Sequence, residues 1–233
     1  MYIEAENELL QRYHRLSQEV RQLSGRPSTV RLLAVSKTKP VQMIKELFDC
    51  GQAAFGENRV QELREKYRFF EEQGWTQPQW HLIGHLQRNK VKYIAPYIEL
   101  IHSVDSLDLA AEISRQALLY HRVIPILIEV NVAQEDSKFG ITVDEVESFV
   151  RALAVLPGIC VKGLMTVAPF VDDPEENRWI FRKLHEIFID IQQKNIDNTC
   201  ICELSMGMSN DYAVAIEEGA TIVRIGSSLF GSR

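Results

Sequence analysis

Lys37 stands at the end of a short apolar run, in a position where a side-chain amine can act as a nucleophile. Residues 31–36 read Arg-Leu-Leu-Ala-Val-Ser, which predicts a buried strand, and a helical pattern begins after Pro40. Because side chains alternate along a strand, Leu33, Val35 and Lys37 share the face that points to the core. Burial there favours the neutral amine, which suits Schiff-base formation with a carbonyl group. The alternative for this stretch alone is a lysine that extends from the strand end into solvent.

Two small turns near the end of the chain have the composition of a phosphate site. Residues 205–211 read Ser-Met-Gly-Met-Ser-Asn-Asp and lie between an apolar run at 201–204 and a helical pattern. Their free backbone N–H groups and the Ser209 hydroxyl would suit an anion. Residues 226–228, Gly-Ser-Ser, form a second such turn. Each alone is typical of a plain turn or helix cap, but both follow the last two predicted strands, where barrels often bind phosphate.

Arg224 lies two residues before the second turn, in the run Thr-Ile-Val-Arg-Ile. Alternation places Arg224 on the same face of the strand as Ile222. An arginine cannot lose its charge, so an Arg224 side chain that points inward needs a partner. In that orientation it lies near the phosphate turn and could donate a hydrogen bond to a ring nitrogen. An outward Arg224 between helices is the alternative, and the sequence leaves both orientations open.

The elements that must position these residues alternate between strand and helix. Strand-like runs occur near 31–36, 53–55, 79–83, 99–104, 124–132, 159–165, 201–204 and 221–225. Helical patterns occur between them, near 41–50, 58–73, 86–95, 106–121, 142–155, 174–194 and 209–218. Eight strands in strict alternation with helices predict an α/β fold, a single (β/α)8 TIM barrel over residues 1–233. An open doubly wound parallel sheet is the competing architecture.

An extra helix is predicted before the first strand. Residues 3–24 carry apolar side chains at three- and four-residue spacing, at Leu9, Tyr13, Leu16, Val20 and Leu23. Gly25 and Pro27 end the pattern. We expect this amphipathic helix to pack on the barrel.

Composition limits the class of protein and its partners. With 45% hydrophobic and 25% charged residues, the chain is ordinary for a globular protein. A formal net charge of −6 argues against nucleic acid or a membrane as partner, and we interpret the local cluster Arg88, Lys90 and Lys92 as a solvated helix face. No run reaches the roughly 20 apolar residues of a membrane span, and the acidic N-terminus is unlike a signal peptide. We therefore expect a cytoplasmic protein with reduced cysteines.

Motifs for other chemistries are weak. His81 and His85 have the spacing of a zinc-binding helix, but the stretch reads His-Leu-Ile-Gly-His, crosses a strand end and lacks the metalloprotease glutamate. The chain has no Walker A loop and no GxGxxG motif. We therefore predict no metal site.

A strand-end lysine, two phosphate turns and an arginine between them describe a site for pyridoxal 5'-phosphate (PLP). Seven blocks of sequence add to this pattern, at 34–37, 55–62, 81–90, 137–140, 163–166, 204–212 and 223–227. On these blocks the chain resembles the PLP homeostasis proteins, relatives of the alanine racemase N-terminal barrel. The blocks run in the expected order from residue 34 to the C-terminus, so the resemblance covers nearly the whole chain.

The resemblance implies a role for each of eight residues. Lys37 would form the aldimine with PLP, and Arg224 would contact the pyridine nitrogen. Ser209, Gly226 and Ser227 would hold the phosphate. The remaining residues match positions that line the cofactor in the family: Asn58, Met165 and Met208.

The resemblance also implies a non-catalytic protein of intracellular vitamin B6 homeostasis and supply, with PLP-dependent apo-enzymes as possible recipients. An arginine at the pyridine nitrogen weakens the ring as an electron sink. Racemisation needs a second base, which in alanine racemase comes from a partner chain assisted by a β domain. Only a few residues follow the last predicted strand, so we expect no such base and a monomer. The alternatives are a PLP-dependent racemase or related amino-acid enzyme, and a barrel enzyme that acts on a phosphorylated sugar without a cofactor.

Overall fold

Eight parallel strands form a closed barrel whose strand order follows the chain, in a computed structural model that describes residues 2–25, 30–135 and 138–231. The strands are β1 (Arg31–Val35), β2 (Ala54–Glu57), β3 (Gln79–Leu82), β4 (Leu100–Val104), β5 (Ile124–Glu129), β6 (Ile159–Met165), β7 (Thr199–Met208) and β8 (Ile222–Ile225). β1 pairs with both β2 and β8, which closes the ring. The predicted barrel is confirmed, and the open sheet is excluded.

Helices cover the outside of the barrel. The α-helices are α1 (Tyr2–Leu23), α2 (Val41–Asp49), α3 (Val60–Glu72), α4 (Leu107–Leu119), α5 (Val146–Ala154), α6 (Arg178–Gln193), α7 (Tyr212–Glu217) and α8 (Ser227–Phe230). Shorter 3-10 helices span Arg88–Tyr93, Val143–Glu145 and Pro174–Asn177. In the part of the chain that the structure describes, no helix is long and apolar enough to cross a bilayer.

Two apolar clusters hold the fold together. The larger one packs the outer faces of the strands against the helices and includes Ala34 and Phe55. The smaller one fills part of the barrel interior with Leu33, Ala54, Leu100, Leu127, Met165 and Ile222. Leu33 and Ala34 belong to different clusters, as the alternation along β1 predicts. Lys37 therefore continues the inward series of Leu33 and Val35.

α1 packs on the barrel through the predicted stripe. Leu9, Tyr13, Leu16 and Val20 are buried, but Leu23 at the end of the helix remains 39% exposed. Gly25 adopts a φ of 62°, a conformation that commonly ends helices. Pro27, Ser137 and Arg233, which the sequence analysis also used, lie outside the described residues.

Some predicted elements differ from the structure. The predicted turn at 226–228, called the turn after β8 below, leads into α8, because Ser227 and Ser228 are the first residues of that helix. β7 continues to Met208, because Ser205 and Met208 align with Ile222 and Arg224 of β8, so the predicted turn at 205–211 is shorter than expected. The predicted helix at 86–95 is a 3-10 helix over Arg88–Tyr93. Leu86, Val91 and Ile94 are buried in this segment. Their spacing of five and then three residues does not form a continuous α-helical stripe.

Candidate functional site

A cavity of about 450 Å³ opens at the carboxyl ends of the strands. Its volume is within the range of small-molecule sites. Seven of the eight predicted residues line this cavity: Lys37, Asn58, Met208, Ser209, Arg224, Gly226 and Ser227. The first and the last two βα units therefore meet at one mouth of the barrel. Val35, Thr38, Lys39, Ile83, Val167, Phe170 and Asp211 complete much of the wall, and the sequence analysis did not identify them as part of the site.

Met165 is the eighth predicted residue, and it does not line the cavity. Its side chain is fully buried in the barrel interior beside Leu33 and Leu127. Val167, two residues later on the same side of the chain, reaches the cavity instead. Side-chain alternation explains the difference, because residues two apart share a face and the later one lies nearer the mouth. Met165 thus lies below the cavity and supports its floor.

Lys37 lies two residues after the end of β1 and is half-buried in the cavity wall. The next residue, Thr38, has a φ of 64°, which is uncommon for a residue other than glycine. The Thr38 backbone N–H donates a hydrogen bond to the Glu62 carboxylate. Such a conformation persists only where surrounding contacts hold it. The backbone at Lys37 is therefore held in one specific geometry.

A buried ion network supplies these contacts from α3. The Lys66 ammonium donates hydrogen bonds of 2.7 Å each to the Ser36 carbonyl oxygen, Glu57 Oε1 and Glu62 Oε1. The Ser36 hydroxyl donates to Glu57 Oε1 at 2.6 Å. Burial raises the pKa of Glu57, and the neighbouring Lys66 offsets part of that increase. Lys66 thus anchors the residues on both sides of Lys37, directly at Ser36 and through Glu62 at Thr38.

Arg224 points into the barrel, which settles the orientation that the sequence left open. Nη1 donates to the Ser205 hydroxyl at 2.8 Å, and Nη2 donates to the Thr166 carbonyl oxygen at 2.7 Å. Burial lowers the pKa of Arg224 to about 10, although the carboxylates of Glu129 and Asp211 act to raise this pKa. The guanidinium therefore stays charged at neutral pH, fixed between β6 and β7 at the edge of the cavity.

Two buried histidines extend the hydrogen bonds of Arg224 across the barrel. Ser205 Oγ lies 3.0 Å from His102 Nδ1, and His102 Nε2 lies 2.9 Å from His81 Nδ1. Burial lowers the pKa of His81 to about 3, and burial together with His81 and Arg224 lowers the pKa of His102 well below its ordinary value. Both rings are therefore neutral in the folded protein at pH 7. The sequence did not predict this series of hydrogen bonds, although His81 and His102 both lie in predicted strands.

The neutral histidines predict acid-sensitive stability. Below about pH 6.5 these histidines are protonated in the unfolded chain but not in the folded protein. Their contribution to the free energy of unfolding is therefore present above that pH and falls as the pH decreases. Glu129, whose pKa burial raises to about 7, acts in the opposite direction over the same range. A comparison of variants separates these two effects. Between pH 7 and pH 5, the free energy of unfolding should fall by about 1–2 kcal/mol less in His102→Gln than in the wild type.

Urea unfolding of both proteins at the two pH values measures this difference. The exposed His14 on α1 offers a control, and His14→Gln should follow the wild type. Parallel pH dependence in the wild type and His102→Gln would show that the buried ring does not carry the effect.

The turn after β7 meets the turn after β8 at Ser209. The Ser209 hydroxyl oxygen accepts hydrogen bonds from the backbone N–H groups of Gly226, at 3.1 Å, and Ser228, at 3.4 Å. The Ser228 hydroxyl donates to the Ser209 carbonyl oxygen at 3.3 Å. These amides converge on an oxygen atom, which is the arrangement that a phosphate oxygen requires. Ser205, in contrast, lies in β7 and faces Arg224 rather than this turn.

Gly207 allows β7 to approach α7 closely enough to form this turn. Its φ is 86°, and an added Cβ would lie 2.5 Å from the Ala215 Cβ and 3.1 Å from the Tyr212 Cα. Only glycine fits such a position without displacing its neighbours. Asp211 then fixes the end of the strand by accepting a hydrogen bond of 2.6 Å from the Met208 N–H.

Metal-binding side chains do not cluster in the described residues. No group of three or more His, Cys, Asp or Glu side chains in these ranges is placed to hold an ion. His81 pairs with His102, whereas His85 lies 3.8 Å from Asp105 and stacks on Phe139. The two histidines with zinc-like spacing therefore face different surroundings.

Comparison with known proteins agrees with this architecture. The chain matches the alanine racemase N-terminal domain family over residues 11–233. A pyridoxal phosphate homeostasis protein from Aquifex aeolicus (strain VF5) is 45% identical over 203 residues, 87% of each chain. One from Pasteurella multocida (strain Pm70) is 38% identical over 228 residues, 98% of this chain and 97% of the relative. The structure of PipY from Synechococcus elongatus PCC7942 with PLP bound has a TM-score of 0.84 at 32% identity and covers 96% of this chain and all of PipY. The chain belongs to the pyridoxal phosphate homeostasis protein family, and its barrel is of the alanine racemase N-terminal type.

Proposed function

We propose that the protein binds PLP in the cavity at the barrel mouth and acts in intracellular vitamin B6 homeostasis and supply. One observation carries the proposal: Lys37, Arg224 and the Ser209 turn line the same cavity of about 450 Å³. The solved PLP complex of PipY and the names of the curated relatives support it. Lys37 would hold the cofactor through a Schiff base between its amine and the PLP aldehyde, with water as the other product.

The phosphate is assigned to the turns after β7 and β8. Ser209 already gathers the N–H groups of Gly226 and Ser228 around its hydroxyl, and Ser227 lines the cavity next to them. A phosphate placed there receives backbone and hydroxyl donors without a counter-ion. Asn58 and Met208 line other parts of the same cavity.

Arg224 is assigned to the pyridine nitrogen. Only two of its five N–H groups are used in the hydrogen bonds to Ser205 and Thr166, so further donors remain for a ligand. A permanently charged donor at the ring nitrogen disfavours protonation of that nitrogen. The protein therefore binds the ring without strengthening it as an electron sink.

The cavity favours a binding protein over an enzyme. Besides Lys37 and Arg224, its ionisable lining residues among those described are Lys39 and Asp211. The Lys39 ammonium donates to the carbonyl oxygens of Phe230 and Gly231, at 3.4 and 3.2 Å. The Asp211 carboxylate accepts from Asn177 Nδ2 and the Met208 N–H. Neither is arranged as a second base, so we propose a non-catalytic carrier. We further propose that it is cytoplasmic and monomeric, that its single domain spans residues 1–233, and that it supplies PLP-dependent apo-enzymes.

A combined assay tests this function. The protein loaded with PLP should have a visible absorbance band that borohydride removes, with the reduced label on Lys37. An unlabelled protein would favour the barrel enzyme without a cofactor. Incubation with L-alanine and a panel of other amino acids, followed by chiral analysis, should show no sustained turnover. Sustained turnover would instead assign a racemase or related enzyme.

The phosphate assignment predicts weaker binding in Ser209→Ala. The substitution removes one hydrogen bond to a charged group, so PLP affinity should fall by about 1.5–3 kcal/mol, or roughly 10- to 150-fold. Equilibrium dialysis of PLP measures the change. Ser148→Ala, which removes an exposed hydroxyl on α5, is the control. Equal affinity in Ser209→Ala and Ser148→Ala would contradict the phosphate assignment.

A further inference from the structure

A second cavity, of about 550 Å³, lies between α3 and the 3-10 helix Arg88–Tyr93. Arg59, Arg64, Arg68 and Lys90 line it, with Tyr93 at its side. Asn58 lines both this groove and the proposed PLP cavity, so the two are neighbours that share a wall. We call this second cavity the basic groove.

Two of the cations of the basic groove, Arg64 and Arg68, lie on one face of α3, and Arg59 directly precedes that helix. Gln61, Arg64 and Arg68 lie at spacings of three and four residues, so they share a helix face. Lys90 approaches from the opposite wall, where the sequence analysis expected only a solvated helix face. Apart from Asn58 and Ile83, the blocks at 55–62 and 81–90 contribute little to the PLP cavity, yet several of their residues line the basic groove.

The basic side chains of the basic groove outnumber its acidic side chains. Among the described residues no ion pair involves Arg59, Arg64, Arg68 or Lys90, although the protein as a whole carries a formal net charge of −6. Glu65 is the acidic residue of the lining, and its carboxylate accepts a hydrogen bond from Gln61. The lining therefore holds four basic side chains and one carboxylate.

Tyr93 holds part of this charge in place. Its ring centroid lies 4.9 Å from Arg64 Cζ, 5.9 Å from Lys90 Nζ and 5.0 Å from Lys92 Nζ. The aromatic ring attracts the cations and keeps them together without neutralising them. Like charges gathered around a concave surface attract an anion strongly, and guanidinium groups match phosphate oxygens in pairs.

We propose that the basic groove is a second ligand site that binds a small molecule with two or more phosphate groups. Its volume is that of a small-molecule site, and three arginines and a lysine match several phosphates rather than one. The negative net charge disfavours an extended nucleic acid, which needs a continuous positive surface. This site uses no residue assigned to the PLP phosphate.

Calorimetric titration with tripolyphosphate tests the proposal at constant ionic strength. The wild-type protein should bind it, and Arg64→Gln/Arg68→Gln should bind it at least about tenfold more weakly, because two charge-assisted contacts are lost. The double variant Arg115→Gln/Arg151→Gln removes the same charge from exposed arginines of α4 and α5. This control should bind within about twofold of the wild type, and thermal unfolding should show all three proteins folded.

Several results would overturn the proposal. The first is that the wild type does not bind tripolyphosphate, and the second is that both double variants lose the same affinity for it. The third is that a hexaglutamate peptide binds more tightly than tripolyphosphate, which would indicate a protein-docking surface. Lys37→Ala and Ser209→Ala separate this proposal from the PLP function. Both should bind tripolyphosphate as the wild type does, and a loss in either would assign the anion to the PLP cavity instead.

Discussion

Lys37→Ala is expected to abolish the visible absorbance of the PLP-loaded protein while the protein remains folded. The absorbance should be lost because Lys37 is the amine that we propose to bind the PLP aldehyde. The fold should persist because an amine in this wall costs desolvation and contributes little packing. Absorbance spectra after incubation with PLP measure the first effect, and thermal unfolding measures the second.

Lys39→Ala is a matched control for this experiment. Lys39 lines the same cavity two residues away, but its ammonium is held by the carbonyl oxygens of Phe230 and Gly231. Lys39→Ala should keep the absorbance band, with the borohydride label still on Lys37. A band that survives in Lys37→Ala, or disappears only in Lys39→Ala, would show that the amine has been assigned to the wrong residue.

Lys66→Met is expected to give the largest loss of stability. The Glu57 carboxylate is fully buried, and its Oε2 has no hydrogen-bond partner among the described residues. Removing the cation leaves this carboxylate without its neutralising charge, which costs about 3–5 kcal/mol in buried pairs. Urea unfolding measures the change. PLP affinity should also fall, because Ser36 and Glu62 lose the group that fixes the backbone around Lys37.

A second variant distinguishes the ion pair from simple packing. Lys66→Met/Glu57→Gln removes both charges, and its stability should recover part of the loss. Lys45→Met breaks an exposed pair with Asp49 and should change stability by no more than about 0.5 kcal/mol. If Lys66→Met costs as little as Lys45→Met, the network does not hold the site as described.

The barrel and its mouth were predictable because they depend on local patterns. Eight apolar runs separated by helical periodicity require parallel strands, and the ends of those strands bring Lys37, Ser209 and Gly226 to one side. The ends of elements were less predictable. The segment from Ser205 to Met208 has the composition of a turn, yet it belongs to β7 because β8 supplies pairing partners for Ser205 and Met208.

The support of the site was not predictable from local patterns. Lys66 looks like one more charge on an exposed helix, and its contact with Ser36 joins residues 30 positions apart. The partners of Arg224 are Thr166, just after β6, and Ser205 in β7. His81 and His102 meet only after the barrel closes. Strand alternation could have identified the inward histidines, but not which residues they contact.

A crystal structure of the protein grown with PLP tests the central claim most directly. We expect continuous density from the Lys37 side chain to the cofactor, the phosphate against Ser209, Gly226 and Ser227, and the pyridine nitrogen beside Arg224. PLP joined to another lysine, or its phosphate away from the turns after β7 and β8, would contradict the account.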